Sequence, residues 1–309
     1  MPLSTLLGTT GPTGFSSKST AEDVTEGLDL SGKNILITGC NSGLGYETMR
    51  ILTQRGARVL GCARSQEKAQ TACDSVDGLA EPFVCELADP HSVLACVEAV
   101  REFGEPIDAL ICNAGIMAIP KLETIQGYEK QFFVNHVGHF ILVRGLLEQL
   151  RDDGRVVMVS SYGHTMAPRD GIQFDNLDGE KGYSAWRAYG QSKLANVLFA
   201  KSLARKFSED DTNRIAHAIH PGVINTELGR HMNGVMQAIM SMGKFFYKST
   251  PQGAATQVYA AVHPDAAARN GKYYTDCNIA QPSKNACDPE LADALWEKTE
   301  AIVAELTGH

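Results

Sequence analysis

Tyr189 and Lys193 carry side chains that can do acid–base chemistry, and they lie four residues apart where the sequence pattern predicts a helix. Residues at that spacing share a helix face. We therefore expect the lysine ammonium to favour the phenolate and to lower the tyrosine pKa from its ordinary value of about 10. Such a phenol can exchange a proton with an alcohol or ketone. Alone, the pattern more often marks a solvated helix face, so a second signal must support it.

A glycine-rich turn far upstream supplies that signal. It follows an apolar run at residues 33–38, precedes helical spacing at 46–52, and is followed by a second apolar run at 57–63. This order predicts a strand–helix–strand unit with a dinucleotide phosphate at the helix N-terminus, although a plain strand–turn–helix corner is the alternative. The expected cofactor contacts in the turn are Gly39, Asn41, Ser42, Gly43, Leu44 and Gly45.

The residues at the end of the second predicted strand indicate whether the cofactor is NAD or NADP. A fold that prefers NAD usually places an acidic residue there to hold the ribose 2′-hydroxyl. This chain has Arg64 followed by Ser65. A guanidinium suits a 2′-phosphate, so we predict NADP(H), with a surface arginine as the alternative.

With these segments in place, the chain resembles the classical short-chain dehydrogenase/reductase family almost from end to end. Further stretches match that family's motifs: Glu86-Leu87 (where the family usually has Asp-Leu), Asn113-Ala114-Gly115, Asn135 within 133–140, Ser161 at the end of 156–161, and Pro221-Gly222-Val223 with Thr226. The turn, residues 189–199 and residues 271–277 bring it nearest to retinol dehydrogenases, the WW-domain oxidoreductase and the chloroplast-translocon dehydrogenases.

The resemblance implies a set of roles. Asn135, Ser161, Tyr189 and Lys193 are expected to be catalytic. Tyr189 would donate the proton to a carbonyl oxygen that Ser161 orients. Lys193 would also hold the nicotinamide ribose, and Asn135 would anchor a water that supplies protons.

The resemblance also implies cofactor contacts beyond the glycine turn and the arginine. These expected contacts are Glu86, Leu87, Asn113, Ala114, Gly115, Tyr189, Lys193, Pro221, Gly222, Val223 and Thr226.

Predicted strands and helices alternate along the chain, which favours an α/β fold with a single doubly wound parallel sheet and helices on both faces. Predicted strands include 82–85, 109–112, 156–161 and 214–219, and predicted helices include 92–103, 192–207 and 290–306. Residues 127–150 are predicted to be helical with a break. Residues 1–30 are expected to form an N-terminal extension, with a possible cap at Thr20, and residues 31–309 the NADP-binding domain.

Composition narrows the class of protein. The chain has 309 residues, 43% of them hydrophobic, and a formal net charge of −8 without a basic run, which disfavours nucleic-acid binding. Its eight cysteines show no C-x-x-C pair and are predicted to be reduced core residues. We expect no membrane span, a cytoplasmic location, no metal, a small-molecule partner and a possible homo-oligomer. His136 and His139 are expected to be core or solvated histidines.

Two stretches are predicted to form the substrate pocket: residues 162–186 and the methionine-rich residues 228–247. The second could equally pack on the core or on another subunit. The function expected is an NADP(H)-dependent oxidoreductase that interconverts a ketone or aldehyde and the alcohol, on a bulky apolar substrate. The alternative, a non-catalytic NADP(H) sensor or scaffold, is disfavoured because such proteins typically lack the tyrosine or the lysine.

Overall fold

The computed structural model describes residues 9–224 and 248–308. Eight strands form the main sheet: β1 (Asn34–Thr38), β2 (Arg58–Ala63), β3 (Ala80–Val84), β4 (Ile107–Cys112), β7 (Leu150–Val159), β8 (Ile215–His220), β9 (Tyr273–Thr275) and β10 (Asn278–Ala280). A separate hairpin consists of β5 (Thr124–Ile125) and β6 (Tyr128–Glu129).

Helices connect the strands and cover the sheet. They are α1 (Ala21–Val24), α2 (Gly43–Gln54), α3 (Gln66–Asp74), α4 (Pro90–Phe103), α5 (130–146), α6 (Ala185–Glu209), α7 (Thr250–Val262), α8 (Pro264–Ala267) and α9 (Pro289–Thr307). Within α5, the α-helical parts Lys130–Phe132 and Gly138–Leu146 flank a π-helical turn at Phe133–Val137. Short 3₁₀ turns occur at Tyr162–Met166 and Asn285–Cys287.

The strand order is β10-β9-β8-β7-β4-β1-β2-β3. Every pairing is parallel except the one between β9 and β10 at one edge. The central strands are rich in buried apolar residues because helices cover both faces of the sheet, and all five residues of β1 are buried. The predicted doubly wound α/β sheet is therefore confirmed, with an antiparallel edge that the sequence did not predict.

The corner between β1 and α2 is the tightest packing in the cofactor half of the sheet. Gly39 has a φ of +72°, a conformation that favours glycine. A Cβ on Gly45 would lie 2.0 Å from the Gly39 carbonyl oxygen, so only glycine lets the helix approach the turn this closely. Gly45 therefore permits close packing of helix α2 on the end of β1.

The prediction of one broken helical stretch at 127–150 was partly wrong. Residues 124–129 form the β5–β6 hairpin, whose turn has positive φ at Gln126 and Gly127, and β7 already begins at Leu150. The break in the helix is the π-helical turn in α5. The strands β9 and β10 and the helices α3 and α7 were not predicted.

An N-terminal arm, residues 9–19, runs along the far edge of the domain. Thr13 donates hydrogen bonds from its backbone and its hydroxyl to the Asn278 side chain in β10, and Phe15 packs edge-on against Tyr259 and His263. The predicted cap at Thr20 begins α1 with a capping box. The arm thus packs on residues of α7 and β10 that are distant in sequence.

Some predictions fall on other parts of the chain. Thr226 and the methionine-rich residues 228–247 lie outside the described residues. Among the helices that the structure describes, none is long and apolar enough to cross a bilayer.

Gly45→Ala should destabilise the domain by about 3 kcal/mol, because the new methyl group meets backbone that cannot move without separating helix and strand. Gly127→Ala is the control: it sits at an exposed turn with φ +81° and nothing within 4 Å of a new Cβ, so only backbone strain of about 1 kcal/mol is expected. Chemical denaturation of both variants measures the difference. Equal losses would contradict the proposed close packing.

Candidate active site

The candidate residues gather where the parallel strands end. The glycine turn follows β1, Arg64 follows β2, Asn113 follows β4, Ser161 follows β7 and Pro221 follows β8. The carboxyl ends of parallel strands share one edge of the sheet, which is where ligands bind in folds of this kind. Helix α6 crosses this edge and presents Tyr189 and Lys193 from its buried face.

Ser161 and Tyr189 face each other across Gly163. The Ser161 hydroxyl oxygen accepts the Gly163 N–H at 3.0 Å. A Cβ on Gly163 would lie 2.7 Å from the Tyr189 ring and 3.3 Å from the Ser161 oxygen, so both side chains border the same small volume. Gly190 packs equally tightly on the backbone of 166–167, which fixes the Tyr162–Met166 turn against α6. One carbonyl oxygen could meet both hydroxyl groups here.

Lys193 is buried beneath this pair. Its Nζ donates to the Val159 carbonyl at 3.0 Å and lies 5.9 Å from the centre of the Tyr189 ring. Ser160 donates its hydroxyl to the Lys193 carbonyl at 2.7 Å, which ties α6 to the end of β7. Burial lowers the pKa of Lys193 to about 8, since the ammonium is removed from water.

The pKa of Tyr189 corrects one prediction. We expected Lys193 to lower it, but burial raises the Tyr189 pKa and only the hydrogen bond with Ser161 opposes that rise. The lysine has itself lost solvation and directs its ammonium at Val159. In the chain alone, the tyrosine is therefore held in its neutral, proton-donating form.

Asn135 lies in the π-helical turn and is fully buried. Its side-chain oxygen accepts the Ile116 N–H at 2.8 Å, and its amide donates to the Ile116 carbonyl at 2.9 Å. The same amide donates to the Ser192 hydroxyl at 2.9 Å, which in turn donates to the Tyr189 carbonyl at 2.8 Å. Asn135 thus holds the backbone beyond β4 against the helix that carries the acid–base pair.

The glycine turn has the features of a phosphate cradle. Gly39 and Gly43 have φ of +72° and +54°, and Asn41, Ser42 and Gly43 are exposed. Ser42 is the N-cap of α2 but makes no side-chain cap hydrogen bond, so its hydroxyl does not cover the first N–H groups of the helix. Those donors and the positive end of the helix dipole fit a pyrophosphate.

The residues that follow β2 and β3 are placed beside this turn. Arg64 is exposed and forms no ion pair with the rest of the described chain. Ser65 caps α3 by accepting the Lys68 N–H at 3.5 Å. Glu86 uses one carboxylate oxygen to accept the Ala88 N–H at 3.0 Å, and Leu87 is buried. Arg64 is therefore free of described partners, while Ser65 and Glu86 already have local ones.

Asn113 and Ala114 are fixed by Thr38 at the end of β1. The Thr38 hydroxyl accepts both of their N–H groups at 3.0 Å, and the Asn113 amide donates to the Thr38 carbonyl at 2.8 Å. A Cβ on Gly115 would lie 3.0 Å from the Asn135 oxygen and 3.3 Å from Lys193 Nζ. Gly115 is thus the point at which the cofactor side and the acid–base side meet.

The Pro221–Val223 segment is held by a buried ion pair. Gly222 has φ +99°, and a Cβ there would lie 2.6 Å from the Lys248 side chain. Lys248 pairs with Asp276 at 2.6 Å, both side chains being 9% exposed, and its N–H donates to the Val223 carbonyl at 2.9 Å. The ion pair fixes Lys248 beside Asp276, and the backbone hydrogen bond holds Val223 next to Lys248.

Several residues that hold the site were missed by sequence reasoning. Thr38 was placed only in the apolar run 33–38, and His139 was read as a core or solvated histidine. Ser192 and Asp276 were noted only within longer stretches, and Lys248 was not singled out. Each of these residues acts through a partner that is distant in sequence, so no local sequence pattern predicts its role. Asn135 and Gly115, by contrast, were found through motif resemblance.

Comparison with known proteins identifies the family to which the chain belongs. A family model described as short chain dehydrogenase matches residues 33–235. The chain is similar to the short-chain dehydrogenase TIC 32 B, chloroplastic, of Brassica napus, with 39% identity covering 97% of this chain and 98% of the relative. It is 36% identical to retinol dehydrogenase 11 of Mus musculus, covering 88% and 87% of the two chains.

A solved structure of an uncharacterized protein from Mycobacterium paratuberculosis superposes with a TM-score of 0.74 at 32% identity, covering 91% of this chain and 96% of that one. The chain belongs to the short-chain dehydrogenase family, whose members are oxidoreductases that bind a nicotinamide cofactor. The family resemblance predicted from the motifs is confirmed, and retinol dehydrogenases are among its relatives.

The burial of Lys193 generates a pH-dependent prediction for the protein without ligand. Its pKa of about 8 lies below the ordinary 10.5, so between these pH values the unfolded chain binds more protons and stability rises with pH. Lys193→Met removes this effect. The stability of wild type relative to Lys193→Met should therefore rise by about 3 kcal/mol from pH 8 to 10.5, as measured by urea unfolding. A difference independent of pH would contradict a buried, proton-releasing lysine.

Proposed function

We propose that this protein is an NADP(H)-dependent oxidoreductase that interconverts a ketone or aldehyde and the corresponding alcohol. The observation that carries the proposal is the meeting of Ser161, Tyr189 and Lys193 with a phosphate-binding turn at one sheet edge. The proton-transfer group and the cofactor cradle are then within reach of the same bound substrate. The sensor or scaffold alternative has no specific observation in its favour.

The chain's own residues would hold the cofactor, which when bound supplies or accepts a hydride. The N-terminus of α2 would receive the pyrophosphate. Arg64 would bind a ribose 2′-phosphate, since it is exposed and has no ion-pair partner among the described residues. Tyr189 and Lys193 would border the nicotinamide end, with Pro221, Gly222 and Val223 opposite them.

Proton transfer follows from the protonation states that burial imposes. Tyr189 is held neutral, so in the reducing direction it donates its hydroxyl proton to the carbonyl oxygen. Ser161 hydrogen-bonds the same oxygen and orients it. Lys193, with a pKa near 8, retains enough charge at neutral pH to stabilise the tyrosinate that this donation leaves. Asn135 would keep the surrounding backbone in register.

A bulky apolar substrate is supported by the surroundings of Tyr189. Tyr162 and Met166 are 49% and 40% exposed although they are large and apolar. Trp186 stands edge-on to the Tyr189 ring at 6.2 Å between centroids. Apolar surface beside a catalytic group favours a substrate that covers it. Retinoid, steroid and aromatic carbonyls share that property.

The cytoplasm remains our proposed location. The name of one relative states a chloroplast location, so membership of the family does not itself fix the compartment.

Tyr189→Phe should reduce turnover of a carbonyl substrate by about 10³-fold or more, because the proton donor is removed while the phosphate cradle stays intact. NADPH affinity, followed by fluorescence, should change little. Carbonyl substrates for this assay are first identified by a screen that measures NADPH consumption with retinal, steroid ketones, aromatic aldehydes and medium-chain ketones. Lys193→Ala should impair both binding and turnover, whereas near wild-type turnover in Tyr189→Phe would disprove the acid–base assignment.

Arg64→Asp should abolish or reverse a preference for NADPH over NADH, because a carboxylate repels a 2′-phosphate and accepts a 2′-hydroxyl. The measurement is the dissociation constant of each cofactor for each protein. Arg187→Asp, at an exposed position on α6, is the control for a simple change of net charge. Equal affinity of the wild type for both cofactors would remove the basis for NADP(H).

A further inference from the structure

His139 lies at the centre of a buried hydrogen-bond chain between the two halves of the site. It is fully buried on α5, one helical turn beyond Asn135. Its Nε2 lies 2.9 Å from the Thr38 hydroxyl oxygen, and its Nδ1 lies 3.0 Å from the Asn135 carbonyl oxygen. The ring therefore spans the distance from the strand that carries the glycine turn to the π-helical turn.

The direction of each hydrogen bond follows from the number of protons available. The Thr38 oxygen already accepts the N–H groups of Asn113 and Ala114, so its own proton is the one shared with His139 Nε2. Nε2 is then an acceptor, and the imidazole proton resides on Nδ1, which donates to the Asn135 carbonyl. Burial lowers the pKa of His139 to about 4, so the ring stays neutral in this tautomer at ordinary pH.

The chain continues on the other side of Asn135. The Asn135 amide donates to Ser192, and Ser192 donates to the carbonyl of Tyr189. Every link lies in the buried interior, where an unmade hydrogen bond is costly. A displacement of Thr38 is thus communicated to the helix that carries the catalytic tyrosine.

His136 provides an internal comparison. It is equally buried and lies three residues earlier in the same helix, but its Nε2 contacts Thr299 on α9, away from the cofactor turn. Its ring also interacts with the Asn196 side chain on α6. The two histidines share burial and helix, but His139 contacts Thr38 at the end of β1 whereas His136 contacts Thr299.

We infer that His139 is a positioning residue: its two ring nitrogens fix the cofactor strand β1 relative to Asn135 and Tyr189, and so set the alignment of hydride and proton transfer. The inference rests on the proposed oxidoreductase function. A misplacement of the order of 1 Å between reacting groups can cost about 10²-fold in rate. His139 would thereby affect the chemical step without touching either reactant.

The test compares His139→Gln with His136→Gln. Gln cannot present a donor and an acceptor at opposite ends of a rigid ring, so His139→Gln should lower kcat about tenfold or more with little change in substrate KM. Its primary isotope effect with C4-deuterated NADPH should rise, since hydride transfer becomes more strongly rate-limiting. His136→Gln should lower thermal stability but leave kcat and the isotope effect unchanged. Equal kinetic losses in the two variants, or an unchanged isotope effect in His139→Gln, would overturn the inference.

A second measurement does not depend on turnover. Nitrogen-15 NMR of histidine-labelled wild-type protein should show His139 as the neutral Nδ1–H tautomer at pH 7. The Asn135 side-chain amide resonances should shift in His139→Gln and stay in place in His136→Gln. An Nε2–H tautomer, or unshifted Asn135 resonances, would refute the hydrogen-bond chain even if no carbonyl substrate were found. Absence of turnover with the expected NMR result would instead count against the proposed function alone.

Discussion

The hydroxyl group of Thr38 has one proton and two lone pairs, and the structure uses all three. The lone pairs receive Asn113 and Ala114, and the proton goes to His139, so three elements meet at one oxygen: the end of β1, the loop after β4 and helix α5. Because the group is fully used and buried, none of the three can shift alone without leaving a polar atom unpaired. The glycine turn begins at the next residue, and the close approach of Gly45 to Gly39 extends the same constraint into α2. The proposed cofactor cradle is therefore shaped by packing and hydrogen bonds within the chain itself.

Burial determines the electrostatics of the acid–base pair more than the pairing does. Both Tyr189 and Lys193 are shifted towards their neutral forms, as desolvation requires. A neutral phenol is the form that donates a proton, and a lysine near its titration point can respond to the charge that donation creates. In the proposed reaction, the attraction between ammonium and phenolate would arise only after Tyr189 has donated its proton. The Val159 carbonyl accepts a hydrogen bond from the Lys193 ammonium and so fixes it at the base of the site.

Much of the fold was predictable because the local signals agree with one another. Apolar runs such as β1 mark buried parallel strands, glycines mark the turn before α2, and the Tyr189/Lys193 spacing marks the face of α6 that carries the proposed acid–base pair. The π-helical turn around Asn135 could not be predicted from local sequence, and the Asn135 side chain in it bonds to the backbone of Ile116, 19 residues earlier. The short strands β9 and β10 were missed because three residues carry too little pattern. The tyrosine pKa was mispredicted because sequence spacing reports proximity but not burial.

The N-terminal arm has a consequence for how the protein is made. Thr13 bonds to Asn278, 265 residues later in the chain, and Phe15 packs against Tyr259. Since synthesis runs from the N-terminus, the arm leaves the ribosome long before its binding surface exists. The βαβ units of the cofactor half can pair as they emerge, but docking of the arm must wait until α7 and β10 have been translated and have joined the sheet. Closing so long a loop is entropically expensive while the chain is loose and cheap once the domain is compact. Because the arm contacts α7 and β10, its protection from proteolysis would report that β10 of a newly made chain has joined the sheet.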